Sequence, residues 1–111
     1  MLPLGDGSYF ASHGRVTWYA GHSMDAPACG GARPSENDYV AAVPKMLASK
    51  CGHHLLILHN GKTVKAKIVD WCQDCEDHHL DVSPSTFKAL APLDVGDIKD
   101  VHYRVLAKSG H

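Results

Sequence analysis

The chain has 111 residues, with eleven basic and twelve acidic side chains and a formal charge of −1. That length suits one domain, which buries roughly two-thirds of its unfolded surface and so has a thin core. The near-neutral balance, with no basic stripe in the sequence, argues against nucleic acid as a partner. No apolar run approaches the roughly 20 residues of a membrane span, and Leu55-Leu56-Ile57-Leu58 is only strand length.

Met1 leads into Leu2-Pro3-Leu4-Gly5, with neither a basic nor an apolar leader region, so the leader of an exported protein would lie outside this numbering. Residues 1–13 are polar and Gly-rich and read as an arm, leaving residues 14–111 as the domain. Arg15-Val16-Thr17-Trp18-Tyr19-Ala20 is β-branched and aromatic and predicts a strand. Gly21 to Ser35 is a long loop containing Cys29. Asp38 to Val43 predicts a second strand, and Pro44 then opens one or two helical turns over Lys45 to Lys50.

The strongest local signal is Leu55 to His59, Asn60-Gly61 and Thr63 to Val69. Asn-Gly supplies the two positive-φ positions of a type I′ hairpin turn. Val64, Ala66 and Ile68 alternate with Lys65 and Lys67, which makes a strand with one wet face. Leu80-Asp81-Val82 is a very short strand. Ser83 is an N-cap and Pro84 the first position of a helix carrying Phe87, Leu90 and Ala91, which Pro92 ends. Asp100 to Leu106 is the closing strand. Many short strands with one or two short helices predict a small mixed β-barrel rather than a doubly wound α/β fold.

Cys29, Cys51, Cys72 and Cys75 form an even set, which in a small domain reads as two disulfides made in an oxidising compartment. The alternatives are zinc, through Cys72-Gln73-Asp74-Cys75 and some of the nine histidines, and a redox CxxC. A structural zinc site would want a second close ligand pair, which Cys29 and Cys51 do not provide. A redox pair would open a helix in a βαβ unit.

Ile68-Val69-Asp70-Trp71-Cys72 and His79-Leu80-Asp81-Val82-Ser83-Pro84, with Thr17-Trp18-Tyr19, Ala28-Cys29-Gly30 and Cys51-Gly52, give residues 14 to 106 a family resemblance. The chain resembles the double-psi β-barrel of expansins, barwin-like proteins and rare lipoprotein A, above all the small single-domain expansin-like proteins and loosenins. The resemblance implies a mainly β, six-stranded double-psi β-barrel and pairings Cys29–Cys51 and Cys72–Cys75. It makes Asp81 the groove aspartate, a proton donor where chemistry occurs, and a neighbouring carboxylate such as Asp70 would help raise its pKa. The plainer alternative has both aspartates accepting backbone hydrogen bonds and holding the loops.

The partners of Asp81 in related enzymes are missing. Thr17-Trp18-Tyr19 is followed by Ala20-Gly21, where related endoglucanases carry an aspartate, and Asp25 is the nearest acid. Ala41-Ala42-Val43-Pro44 stands where the transglycosylases carry a histidine. An inverting glycosidase needs a base about 6.5–9.5 Å from its acid, so catalysis is not expected, although Asp81 with Asp70 or Asp25 is a residual possibility. Thr17, Trp18, Tyr19 and Trp71 are the candidate substrate-binding residues, with Tyr39 a further aromatic; Tyr19 and Trp71 are favoured for the groove and Trp18 is undecided. Expansins that act on cellulose usually add a second carbohydrate-binding domain, and without one strong cellulose binding is not expected.

His53-His54 and Asp77-His78-His79, with Glu76 or Asp81, could gather a metal, but solvated loop positions are the commoner reading. No metal or cofactor is expected. The histidines do imply that the charge turns positive towards pH 6, which would favour an acidic wall polymer. The function implied is a secreted, monomeric, non-hydrolytic protein that binds and loosens glucan, chitin or peptidoglycan. The alternative on the same barrel is an inhibitor of papain-like cysteine proteases, presenting loops 21–35 and 72–79.

Overall fold

A computed structural model of the protein describes residues 9–72 and 75–107. Six strands, β1 (Tyr9–Trp18), β2 (Val40–Pro44), β3 (His54–His59), β4 (Lys62–Cys72), β5 (His79–Val82) and β6 (Asp97–Val105), and one short helix, α1 (Pro84–Lys88), follow in chain order, with α1 between β5 and β6. The strands close into a barrel in the order β1-β5-β2-β4-β3-β6. β1 runs parallel to β5 and β2 parallel to β4, while the other pairs are antiparallel. Closure leaves no open sheet edge among these strands, which a thin-cored domain needs to stay unaggregated. This is the mixed double-psi β-barrel that the resemblance implied.

Alternate side chains of each strand fill the interior: Val16, Leu55, Ile57, Ala66, Ile68, Leu80, Val82, Val101, Tyr103 and Val105 are fully buried, and Phe87 joins them from α1. Each Val, Leu, Ile or Phe side chain among them contributes about 1.5–3 kcal/mol on burial. The hairpin forms as its turn residues dictate, with Asn60 and Gly61 at φ 48° and 77° and His59 facing Lys62 across the turn. Ser83 caps α1, accepting from the Thr86 amide, with Pro84 in the first turn. Its hydroxyl also donates to the Asp38 carbonyl at 2.6 Å, which ties the helix to the approach of β2. Cys29 joins Cys51 and Cys72 joins Cys75, and among the described residues no cysteine is free.

Several boundaries depart from expectation. β1 begins at Tyr9, so residues 9–13 of the expected arm lie in the sheet; residues 1–8 lie outside the described residues. The cause is long-range, since Tyr9 pairs with Val105 and Ala11 with Tyr103. β1 ends at Trp18 rather than Ala20, and β2 starts at Val40 rather than Asp38. Lys45–Lys50 forms a 3-10 helix. α1 stops at Lys88, where the amides of Leu90 and Ala91 both turn onto the Phe87 carbonyl ahead of Pro92. β6 starts at Asp97, directly after Gly96 in the left-handed conformation.

One irregularity positions the site. Along β2 and β4, Ala41 pairs with Ile68 but the next residue, Ala42, pairs with Asp70. Val69 is therefore an extra residue, a β-bulge, and its carbonyl accepts from the Cys29 amide at 3.1 Å. Unbroken alternation after Val64, Ala66 and Ile68 would have sent Asp70 into the core. The bulge resets the phase, so Asp70 shares the outward face of Ala42 while Trp71, paired with buried Val43, leans on the core. No helix among the described residues is long and apolar enough to cross a membrane.

Candidate functional site

Register lines up a row of side chains across four neighbouring strands. Thr17 of β1 pairs with Asp81 of β5, Asp81 with Ala42 of β2, and Ala42 with Asp70 of β4. The row continues on the other side, where Thr17 pairs with Asp97 of β6. One step along the same face, Arg15 pairs with His79. The barrel thus brings Thr17, Asp81 and Asp70 together with the small Ala42 in their midst.

Asp81 is half-buried and burial raises its pKa, an effect the Thr17 hydrogen bond and nearby His79 partly offset. The Thr17 hydroxyl donates to Asp81 Oδ1 at 3.0 Å and lies 2.8 Å from His79 Nε2. A hydroxyl has one proton to give, so while Asp81 is ionised and takes that proton, Nε2 of His79 must be the donor to Thr17. If Asp81 gains a proton, the bonds can reverse and His79 becomes the acceptor. Thr17 therefore couples the protonation of the carboxyl and the imidazole. Burial lowers the His79 pKa, and the Arg15 cation lowers it further. Arg15 is itself clamped by Asp97, with nitrogen–oxygen distances of 2.8–3.0 Å.

Tyr19 follows the end of β1, its amide bonded to the Val82 carbonyl at 2.9 Å. Its hydroxyl is buried and has no hydrogen-bond partner among the described residues. Burial, and then the charges of Asp70 and Asp81, push its pKa well above the ordinary phenol range, which keeps the O–H as a donor. Asp70 is a structural anchor. Its Oδ1 accepts from the amides of Ala28 and Trp71, both at 2.9 Å, pinning the Cys29 loop to β4. Loop holding is the plainer of the two roles that the sequence offers for it, and its charge still acts on Tyr19.

The other candidates fall outside the row. Trp71 is half-buried against the core. Trp18 is 36% exposed and its indole N–H donates to the Leu93 carbonyl at 3.0 Å, which fixes its ring at the rim. Tyr39 is exposed at the start of β2. Asp25 is engaged by Arg33 and His22 within its own loop. Among the described residues no group of three His, Cys, Asp or Glu side chains is gathered as metal ligands would be. His53 bonds to the Leu106 carbonyl and His54 lies beside Lys65 and Lys67.

Three residues of the site emerge only from the fold: His79 as a partner of Thr17, and the Arg15–Asp97 pair. A signal for His79 is present in the chain, because it stands two residues before Asp81 and a strand puts positions i and i+2 on one face. Nothing local links Arg15 to Asp97.

Residues 11–103 match the sequence profile of the family described as lytic transglycolase, a double-psi β-barrel family, and the chain belongs to it. Over 48 residues, 43% of this chain, it is 33% identical to the papain inhibitor of Streptomyces mobaraensis. Over 89 residues, 77% of this chain, it is 35% identical to allergen Asp f 7 of Aspergillus fumigatus. These matches cover about a third of those relatives' own lengths, 34% and 33%. The solved structure of a Streptomyces papain inhibitor shares the fold, with a TM-score of 0.79 at 23% identity over 96% of this chain and 100% of that one. A Clavibacter michiganensis expansin solved in complex with cellohexaose has a TM-score of 0.74 at 28% identity, over 93% of this chain and 53% of that one.

Proposed function

We propose that this member of the lytic transglycolase-type double-psi β-barrel family is a secreted, expansin-like wall protein. It binds and loosens wall polysaccharide without cleaving it. The polymer, a glucan, chitin or peptidoglycan strand, lies along the outward row of β1, β5, β2 and β4, where Thr17, Asp70 and Asp81 supply donors and acceptors beside the half-buried Tyr19. Trp18 and half-buried Trp71 stand at its margins. The two disulfides suit an oxidising, extracellular setting.

The observation that carries this reading is the Thr17–Asp81–Ala42–Asp70 row itself. A hydrolase needs a general acid and a second group free to act as base or nucleophile. Asp81 has the raised pKa of an acid. Its neighbour on β2 is a methyl group, and Asp70, one strand further on, is tied to two backbone amides. What remains is a surface of hydrogen-bonding groups suited to hydroxyls. The expansin resolved with cellohexaose supports a polysaccharide as the ligand class.

The test is retention on insoluble cellulose, chitin and peptidoglycan, with reducing-end and anhydro-sugar release measured on the same samples. Asp81→Asn and Tyr19→Ala are each expected to weaken retention on the preferred polymer about tenfold, or about 1.4 kcal/mol, with no sugar released by the parent protein. Sugar release that Asp81→Asn abolishes would make the protein an enzyme.

The sequence relation to the papain inhibitor favours a second reading, a cysteine-protease inhibitor acting through the loops around Cys29 and Cys75. Papain activity followed in parallel separates the two. Tight inhibition that survives Asp81→Asn and Tyr19→Ala, without retention on any polymer, would replace the first reading by the second.

A further inference from the structure

The barrel carries a second outward face that the groove does not use. β3 stands three places from β5 in the six-strand ring, so the face centred on β3 is diametrically opposite Asp81. Register assembles its side chains in three adjacent rows. Lys67 of β4 faces His54 of β3; Lys65 faces Leu56, which faces Arg104 of β6; Thr63 faces Leu58, which faces His102. No Asp or Glu stands in these rows. Lys65, Lys67 and Arg104 are exposed, and none of them makes an ion pair among the described residues. Burial lowers the pKa of His54, and Lys65 and Lys67 lower it further, so the lysine field reaches across the strand. By strand spacing the face is about 10 Å across and about 13 Å long.

Two leucines run down its middle, Leu56 half-exposed and Leu58 39% exposed. Below them the face opens into a surface groove of about 550 Å³, lined by Leu58, His59, Thr63, Lys99, Asp100 and His102. Asp81 stands on the opposite side of the barrel, on β5, while Asp70 and Asp97 lie on β4 and β6 beyond the ends of these three rows. A protein of formal charge −1 thus gathers three cations on one face.

We propose that the β4–β3–β6 face is a second binding surface, for a carboxylate-bearing polysaccharide. Uronate carboxylates meet Lys65, Lys67 and Arg104, while the apolar C–H faces of the sugar rings lie on Leu56 and Leu58. Charge complementarity selects a polyanion, and the composition of the face narrows the class. Its rows contain no Phe, Tyr or Trp side chain on which bases could stack. Because Asp81 and the β3 face lie on opposite sides of the barrel, one molecule can hold one wall strand at the groove and an acidic strand on the other side.

The experiment is retention of the intact protein on immobilised polygalacturonate, with the same polymer after carboxyl reduction as the neutral control. Retention is expected on the acidic form, falling as NaCl is raised, and at least tenfold weaker in Lys65→Gln/Lys67→Gln/Arg104→Gln. These positions are exposed, and an unchanged melting temperature would establish that the variant is folded. Asp81→Asn should leave polygalacturonate retention unaltered, so a failure of the groove reading and a failure of this one are read on different polymers. Equal retention on the carboxyl-reduced polymer, or full retention of the triple variant, would overturn the proposal. Equally tight binding of a DNA duplex would overturn the uronate assignment.

Discussion

Asp81 illustrates how the same residue can serve a site and burden the fold. Burial raises its pKa in the folded protein, so the folded state binds this proton more tightly than the unfolded chain does. The associated stability is fully present below the ordinary carboxylate range and is lost as pH rises through the raised value. At neutral pH the ionised group is therefore a net cost. Asp81→Asn should melt a few degrees higher than the parent at pH 7, and thermal melts should show that advantage vanishing below about pH 4. An advantage independent of pH would mean that the charge is not the cause. His79 and Thr17 belong to the same unit, since only the Thr17 hydroxyl lies between the imidazole and the carboxyl.

The elements that could be read from the sequence are those whose determinants are adjacent in the chain. Asn60-Gly61 sets the β3–β4 turn by itself, and Ser83-Pro84 starts α1 by itself. Ser83 does more than cap: fully buried, it also donates to the Asp38 carbonyl, and Thr86 Oγ1 lies 2.8 Å away. Ser83→Ala would strand those groups and should cost about 1–3 kcal/mol in urea unfolding, more than an exposed cap. Close approach sets the strand contact at Gly14. A Cβ there would meet the Tyr103 ring and the Val101 carbonyl at 3.0 Å, so Gly14→Ala should lose about 1–3 kcal/mol through overpacking. The Val69 bulge could not be read, because alternation through Val64, Ala66 and Ile68 continues smoothly into Asp70. Only the partner strand shows where a residue is left over.

At the scale of the whole molecule, the Cys29–Cys51 bridge closes a span of 22 residues and anchors the long loop to the start of β3. Replacing both cysteines by serine should cost about 3 kcal/mol through the entropy returned to the unfolded chain, and lower the melting temperature by roughly 10–20 °C. The same change at Cys72 and Cys75, three residues apart, should cost much less, because little loop entropy is at stake. Equal losses at the two bridges would show that strain or native contacts, rather than loop closure, govern both.

The sequence by itself determined the local signals: the turn, the cap, the strand-forming runs, the even set of cysteines, and Thr17 and Asp81 as groove candidates through the family resemblance. Their causes lie within a few residues of one another, where φ/ψ preference and side-chain period act directly. The tertiary structure decided which strands stand side by side. That choice put Ala42 between two aspartates, His79 against Thr17, and residues 9–13 into the sheet. It also gathered Lys65, Lys67 and Arg104 on one face of a chain whose charges nearly cancel. The reason is physical: register and barrel closure are fixed by burying the core residues of all six strands together, and no single segment contains that information.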